Sequence, residues 1–464
     1  MISKHWLIAV ALLLLTGCAV GPNYKRPPVT VPGEYRGLAP DNGPQAAASL
    51  GDEKWWTVFQ DEQLQALIRE ALVQNYDVRI AATRVLQAQA ALGITRADQF
   101  PTITGGASAS SVGIPRTKNL PSFETSSNQV NLSLFWELDF WGKYRRATEA
   151  ARANLLATEW GQKAVVSSLV SNVASAYFQL LELDDEMEIS RRALASRKDS
   201  LRLVEIRANG GATSLLDVRQ SEQLVYTAAA SIPDLERRIE QQENLISILL
   251  GKNPGSVTRG KPLVENPLLP AVPAGLPSSL LDRRPDIQSV EQQLIAANAR
   301  IGVAKAAYFP QITLTAEGGY QSSALTNLFT GPAGFWSFGG QLLQPIFTGG
   351  RIRSNVRLTE AQQQEAVLVY HQSIQQAFRE VSDSLVAYRK NQEFRAQQQL
   401  LTAAAQDATR LSVVRYEGGV TSYLEVLDSD TRQFDAQLGL ARAQLNERLA
   451  LVQLYNALGG GWRQ

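Results

Sequence analysis

The sequence predicts an α+β membrane protein with an internal duplication, in which four β-strands per chain join a barrel shared between chains and very long helices extend from it. Motifs recur at a spacing of 208 or 209 residues. Segments of about ten residues alternate between apolar and polar side chains, as strands of membrane barrels do. Proline is absent from 143–232 and from 346 to the C-terminus, so helices much longer than those of a compact globule are allowed.

The N-terminus has the features of a targeting signal. Lys4 precedes the apolar run Trp6–Leu15, which is too short to span a bilayer as a helix. The run ends in Leu15-Thr16-Gly17-Cys18, which resembles the lipobox of bacterial lipoproteins. We therefore expect residues 1–17 to be a lipoprotein signal peptide, Cys18 to carry a covalent lipid, and the protein to be anchored in the outer membrane. The alternative is an ordinary secretory signal with an incidental cysteine.

Residues 18–60 are expected to form a lipid-anchored tether without helix, because prolines and glycines interrupt them. The tether ends near Trp55 and Trp56, whose rings we expect to pack against the body of the protein.

The composition excludes most kinds of reactive site. The 464 residues include 45 Lys+Arg and 44 Asp+Glu, for a net charge of +1, which argues against a nucleic-acid partner. One Cys and two His leave too few ligands for a His/Cys zinc site, and a catalytic triad would have to be built around the single mature histidine. We expect no catalytic residues, no metal and no cofactor, and we expect His371 to be a surface or packed residue.

Three motif pairs in the same order show that one unit is written twice. The pairs are Gly93–Thr104 with Gly302–Thr313, Gly142–Arg145 with Gly350–Arg353, and Arg207–Val218 with Arg415–Val426. The sequence thus predicts a first repeat over 61–270 and a second over 271–464. In each, a helical stretch ends at Phe-Pro and is followed by two strands, a long helix, a Gly-Gly turn and another long helix. The expected strands are about 101–112, 128–139, 311–322 and 335–347, and the expected long helices are about 143–207, 213–250, 351–416 and 421–457.

Four strands per chain cannot close a barrel. If they span a membrane, open edges are not tolerated and several chains must share one barrel; the residues alone allow two chains with eight strands or three with twelve. A soluble sheet with one wet face is the alternative. No apolar run of about 18 residues is expected after residue 17, so any spanning would be by strands.

Taken together, these features resemble the outer membrane factors, the TolC-like family of channels, and within it the NodT/OprM-like lipoproteins. The resemblance rests on several motifs spread over the mature chain, namely Cys18, Pro22-Asn23-Tyr24, Trp55-Trp56, the two Phe-Pro junctions, the Gly-Gly-x-Thr-Ser turns and Leu458–Trp462.

The resemblance implies a homotrimer with a 12-stranded β-barrel in the outer membrane and a 12-helix α-barrel through the periplasm. A mixed equatorial region, here including 251–283, would surround it. The implied function is a passive exit duct for drugs or other small toxic compounds. A periplasmic adaptor protein and an inner-membrane resistance-nodulation-division pump would be the partners, together with outer membrane lipids. The alternatives are the exit duct of type I protein secretion and a structural lipoprotein that spaces but does not span.

The two Gly-Gly turns are the first candidate site. Glycine permits the left-handed turn and Thr or Ser can cap the next helix, so plain capping is one interpretation. The resemblance implies contact with the adaptor by Arg207, Gly210, Gly211, Thr213, Ser214, Arg415, Gly418, Gly419, Thr421 and Ser422.

The second candidate site follows the second turn. The resemblance implies a pore constriction at Leu424 and Asp428, four residues apart and so on one helix face. The supporting Arg of the family is replaced by Thr431, with Arg432 next to it and Asp430 adding a further carboxylate. We therefore predict Leu424, Asp428, Asp430 and Arg432 as constriction residues. A solvated acid at a helix start is the alternative for Asp428. The first repeat has Gln220 where the second has Asp428.

Overall fold

The computed structural model describes residues 19–37, 49–116, 118, 121–263 and 273–463. Cys18 and the predicted signal peptide lie outside the described residues. Within them, the helices are α1 (Trp55–Val58), α2 (Glu62–Gln74), α3 (Tyr76–Ala97), α4 (Lys143–Asn209), α5 (Leu215–Leu249), α6 (Pro277–Arg283), α7 (Pro285–Ala306), α8 (Arg351–Glu417) and α9 (Tyr423–Ala457), and the strands are β1 (Thr102–Ile114), β2 (Phe123–Glu137), β3 (Gln311–Ser322) and β4 (Gly334–Leu343).

Helix α1 and a short 3-10 turn at Leu50–Asp52 correct the expectation of a helix-free tether up to residue 60. These elements are folded because Trp55 is buried and its ring meets that of Trp56 edge to face at 5.2 Å. The last strand ends at Leu343 rather than near 347, because Pro345 cannot donate to a strand ladder. The second strand begins at Phe123, five residues before its predicted start at 128.

The described residues divide into two compact units. The first comprises the described parts of 1–28, 84–158 and 289–370 and contains the sheet. Its four strands are antiparallel in the order β1-β2-β3-β4, with Leu132 opposite Gly318 and Glu317 opposite Ser337. The two repeats thus contribute neighbouring hairpins to one sheet, and the outer edges of β1 and β4 have no partner strand within the described chain.

The sheet has one apolar and one polar face, as the alternation predicts. On the apolar face Leu132, Trp336 and Phe338 are all more than 60% exposed in the protomer. On the polar face the Glu317 carboxylate accepts hydrogen bonds from Gln129 at 3.0 Å and Asn131 at 2.7 Å. One face of the sheet exposes large apolar side chains, and the other carries polar side chains that hydrogen-bond to one another. This arrangement is typical of a barrel strand with lipid on one side and water on the other. Phe135, Phe335 and Leu343 are apolar residues whose register places them on the polar side.

The second unit comprises the described parts of 29–83, 159–288 and 371–464 and consists mainly of helices. Helices α4 and α8 each have 67 residues and are thus about 100 Å long. Apolar packing joins α4 to α5, where Leu183, Met187 and Leu235 form a buried cluster. Within the predicted equatorial stretch 251–283, the described residues are irregular except for α6.

Helix α4 also corrects one expectation. It contains an 18-residue window with a mean hydropathy of 1.4, so a long apolar run does follow residue 17. Length and composition alone would let this helix cross a membrane, but 67% of the window is buried inside the protein. The core helix of a bundle has the same properties, so the window is weak evidence for a helical span.

A buried carboxylate links three helices of this unit. Glu186 on α4 accepts hydrogen bonds from Arg238 on α5 at 3.0 Å and from Arg442 on α9 at 2.8 Å. One turn earlier, Glu182 is also buried. Burial, and then the neighbouring Glu186 carboxylate, raise the pKa of Glu182 to about 7, because both disfavour its charged form.

The raised pKa of Glu182 predicts a loss of stability with rising pH. Since the unfolded carboxyl titrates near 4.5 and the folded one near 7, the folded state binds more protons between these values, and the free energy of unfolding falls across this window. We expect Glu182→Gln to remove this loss and to exceed the wild type by roughly 1–3 kcal/mol at pH 8. Helical circular dichroism of the detergent-extracted protein during urea unfolding at pH 5 and pH 8 measures the difference.

The matched control is Glu188→Gln on the same helix, where the carboxylate is 62% exposed. This variant should follow the wild-type pH dependence. If Glu182→Gln and the wild type keep a constant difference from pH 5 to pH 8, the assignment to Glu182 is wrong.

Candidate functional site

The two helix turns of the second unit have the same backbone. After α4, Ala212 N–H donates to Arg207 C=O at 2.8 Å and Gly211 has a φ of +73°. After α8, Val420 N–H donates to Arg415 C=O at 3.0 Å and Gly419 has a φ of +72°. These are Schellman ends, in which a left-handed glycine lets the last carbonyls find donors.

The side chains at the two turns differ. Ser214 caps α5 in a capping box with Asp217, and the hydrogen bond from Thr213 and then those from Ser214 hold the pKa of Asp217 below its usual range. At the second turn Ser422 makes no side-chain cap, and Thr421 donates to Glu425 instead. The capping groups of the first turn are neutral or acidic, whereas at the second turn Arg415 also lies 3.3 Å from Glu425.

Arg207 has a structural partner on the other helix pair. Its guanidinium lies 4.5 Å from the ring centre of Tyr416 and donates to the carbonyl of that residue at 3.4 Å. The two arginines are therefore engaged within the protomer, so the capping interpretation accounts for more of this region than the sequence suggested. The turns also expose large apolar side chains, among them Leu215, Leu216 and Val420.

An apolar cluster holds the two helix pairs together next to the turns. It consists of Val204, Val218, Tyr416, Tyr423, Val426 and Leu427. Within it the Tyr423 hydroxyl donates to Ser221 at 3.1 Å, and burial raises the pKa of Tyr423. The cluster thus contains a buried hydrogen bond between α5 and α9. Its electrostatic attraction is stronger than that of the same bond in water, because the local dielectric constant is low.

Two ion pairs lie just beyond this cluster, and they differ in burial. Arg197 on α4 meets Asp430 at 2.7 Å, with side-chain exposures of 3% and 24%. The same guanidinium donates to Leu224 C=O at 3.2 Å and lies 4.8 Å over the ring of Phe434. One cation therefore joins α4, α5 and α9.

The second ion pair is on the surface. Arg432 meets Asp428 one helical turn away at 2.8 Å, with exposures of 75% and 59%. Leu424 lies a further turn back along the same face and is 60% exposed. Thr431, in the place of the family's arginine, donates to Leu427 C=O of its own helix at 2.8 Å.

The structure therefore separates the four predicted constriction residues into two groups. It brings Leu424, Asp428 and Arg432 onto one exposed stripe, and it turns Asp430 away into the pair with Arg197. Sequence reasoning missed Arg197, because nothing on α4 marks an arginine that pairs with a residue more than two hundred positions later. His371 is half-buried.

Comparison with known proteins gives the family. The family model described as outer membrane efflux protein matches residues 67–252 and 276–460.

The chain belongs to the outer membrane efflux protein family.

Relatives agree over nearly the whole length. The chain is 40% identical over 458 residues to the solvent efflux pump outer membrane protein SrpC of Pseudomonas putida, covering 97% of each chain. It is 35% identical over 460 residues to the probable outer membrane lipoprotein SilC of Salmonella typhimurium, again covering 97% of each. It is also similar to the open state of the Neisseria gonorrhoeae MtrE outer membrane channel, with 31% identity, a TM-score of 0.88, and coverage of 96% and 99%.

The protein is thus an outer membrane component of an efflux system, and its family is one of channels rather than enzymes. This confirms the sequence-based expectation of family, function and outer membrane location. Among the described residues no group of three or more His, Cys, Asp or Glu side chains is arranged to hold a metal ion.

The different burial of the two ion pairs predicts different energies. In a double-mutant cycle, Arg197→Ala with Asp430→Ala should give a coupling of about 2 kcal/mol, since the pair is largely desolvated. The matched cycle of Arg432→Ala with Asp428→Ala should give less than about 1 kcal/mol, because water screens both groups. Urea unfolding followed by helical circular dichroism measures both coupling energies. Equal couplings would contradict the assignment of Arg197 as the buried cation that joins α4, α5 and α9.

Proposed function

We propose that the protein is the passive exit duct of a tripartite efflux system. In this proposal a homotrimer spans the outer membrane, and an inner-membrane resistance-nodulation-division pump delivers drugs or other small toxic compounds to it through a periplasmic adaptor. The observation that carries the proposal is the open sheet in the first unit, with one bare apolar face and two unpaired edges.

The sheet favours a shared barrel. In lipid, the unpaired backbone groups of β1 and β4 would cost several kcal/mol each, so both edges need partner strands. Two copies of the sheet contain eight strands and three contain twelve. The family resemblance selects three, which makes the polar face with Glu317 the lining and the face with Trp336 the lipid side.

The lipid anchor is the second part of the proposal. The lipobox around Cys18, the single cysteine of the chain, favours a covalent lipid there, and SilC is a relative whose name includes the word lipoprotein. The acyl chains would hold the N-terminus at the periplasmic surface of the same membrane.

The helix turns are the proposed docking site for the adaptor. Both turns end in Schellman glycines with little side chain around them, so a partner backbone can approach closely. Leu216 and Val420 add exposed apolar surface at each turn. Arg207 and Arg415, engaged within the protomer, would then shape the turns rather than reach for the adaptor.

The exposed stripe of Leu424, Asp428 and Arg432 is the proposed constriction. In a trimer three copies of Asp428 would face one axis and repel one another. Arg432, one turn away, pairs with Asp428 in each protomer and would reduce this repulsion. The buried Arg197–Asp430 pair would then hold α9 against α4 and α5. Its loss should therefore favour an open duct.

Oligomeric state and lipid can be read in one spectrum. Native mass spectrometry of the detergent-extracted mature protein should show three chains, each starting at Cys18 with an added acyl mass. A lipidated monomer that survives mild detergent would contradict the shared barrel, since four strands cannot close alone.

Efflux and docking are tested together in cells. Deleting the gene should sensitise the cells to drugs and organic solvents, and the wild-type gene should restore tolerance. The double variant Leu216→Asp, Val420→Asp should fail to restore it while reaching the outer membrane in wild-type amount, because charge at the turns disfavours apolar docking.

The matched control is Tyr226→Asp, which changes a side chain on α5 that is 67% exposed and away from the turns; it should restore tolerance fully. Unchanged drug tolerance with a lost secreted protein upon deletion would instead favour type I secretion.

A further inference from the structure

The segment that follows Cys18 is docked onto the first unit along its length. Val20 N–H donates to Trp141 C=O at 3.0 Å. The Asn298 amide donates to Pro22 C=O at 2.9 Å. The sequence predicts that the residues after Cys18 form a tether. Their backbone groups instead have hydrogen-bond partners on the body of the protein, which the backbone of an unattached tether lacks.

A buried arginine makes most of these contacts. Arg146 of α4 is 6% exposed and donates to the carbonyls of Val20 at 3.3 Å and Gly21 at 3.4 Å. It also donates to the side-chain oxygen of Asn23 at 2.7 Å. A guanidinium buried at this depth needs several acceptors, and the docked segment supplies three.

A second anchor lies a few residues further along. Glu291 of α7 is buried and accepts from Arg26 at 2.6 Å and from the hydroxyl of Tyr24 at 3.1 Å. Burial, and then the Glu291 charge, raise the pKa of Tyr24, so this hydroxyl keeps its proton for the bond. The segment is thus held at both ends by charged groups of the body.

Three glycines let the backbones touch. Gly21 has a φ of +103°, and a Cβ there would lie 2.5 Å from Gly302 Cα. A Cβ on Gly302 would lie 2.6 Å from the Val20 carbonyl oxygen, and one on Gly142 would lie 2.7 Å from Ala19 Cα. Any side chain at these positions would push the segment away.

The duplication supplies an internal comparison. The repeat counterparts of Gly302 and Gly142 are Gly93 and Gly350, and a Cβ on either would meet no atom within 4 Å in the protomer. The polar contacts have no counterparts either, because Arg146, Glu291 and Asn298 correspond to Ser354, Ala82 and Gln89. Residues that can make these contacts are therefore present at only one of the two equivalent positions of the repeats. This argues that the contacts hold the N-terminal segment and are not needed for the helices to fold.

We propose that Gly142, Arg146, Glu291, Asn298 and Gly302 form a seat for residues 19–26 and make them a fixed spacer between lipid and channel. The chain leaves this seat at Ala19, beside Gly142 and next to the end of β2. The acyl chains would therefore enter the membrane at a set place beside the sheet, rather than anywhere within reach of a slack tether. The last point rests on the proposed lipidation of Cys18, whereas the seat itself does not.

Trypsin tests the seat directly. The bond after Lys25 is a trypsin site inside the docked segment, and the bond after Arg26 is blocked by Pro27. Because a protease needs the segment to leave the body, cleavage measures undocking. In the detergent-extracted protein, Gly302→Ala and Arg146→Ser should each speed cleavage after Lys25 about tenfold or more, while Gly93→Ala should match the wild type. Intact mass, as loss of residues 18–25, is the readout.

Glu291→Gln weakens the second anchor without adding volume and keeps the test valid if Gly302→Ala loses its fold. It should also speed cleavage, with the thermal midpoint and the chain count of the oligomer unchanged. Equal cleavage rates in the wild type, Glu291→Gln and Arg146→Ser would overturn the seat.

The lipid is scored separately, from the mass of the released peptide. A peptide without acyl mass together with the expected order of rates would refute lipidation and leave the seat standing. A peptide with acyl mass and equal rates in all variants would refute the seat and leave the lipoprotein standing.

Discussion

The structure depends most on the need of every backbone N–H and C=O in the sheet for a partner. Four antiparallel strands satisfy each other internally but leave the outer sides of β1 and β4 open. In water an open edge can pair with another chain, which risks aggregation. In lipid its unpaired backbone groups cost so much free energy that open edges do not occur. In the proposed shared barrel, neighbouring copies of the chain would supply the missing strand partners.

The duplication gives the two halves the same backbone and different chemistry. Both helix turns end with the same Schellman bonds, because the Gly-Gly pair fixes them. One half then adds a capping box at Ser214, and the other adds the exposed Asp428 where the first has Gln220. The N-terminal segment 19–26 also distinguishes the two repeats, with contacts around Gly302 and open space around Gly93. The backbone conformation is thus common to both repeats. The repeats differ in the side chains that cap the turns, carry charge and allow close packing.

Much of the architecture could be predicted because it rests on local rules. Period-two alternation marks β3, proline marks its start, and glycine marks the helix turns. What could not be predicted depends on pairs that are distant in sequence. Arg197 gives no local sign that it will meet Asp430, and Gly21 gives none that it will lie on Gly302. Prolines and glycines in residues 18–60 predict a lack of helix, but they do not predict a lack of contacts. The expectation that no long apolar run follows residue 17 also missed the window of α4, although average hydropathy alone does not distinguish a protein interior from a bilayer.

Met187, buried between α4 and α5 with Leu183 and Leu235, has a practical consequence. The sequence has two methionines, and the other is Met1 in the predicted signal peptide. A mature chain labelled on methionine methyl groups would therefore give one resonance for each distinct protomer environment. Three equivalent protomers would give a single peak, and any departure from threefold symmetry would split it. One sulfur-bound methyl group, buried between α4 and α5, thus serves as a nuclear magnetic resonance reporter of protomer equivalence without any engineered probe.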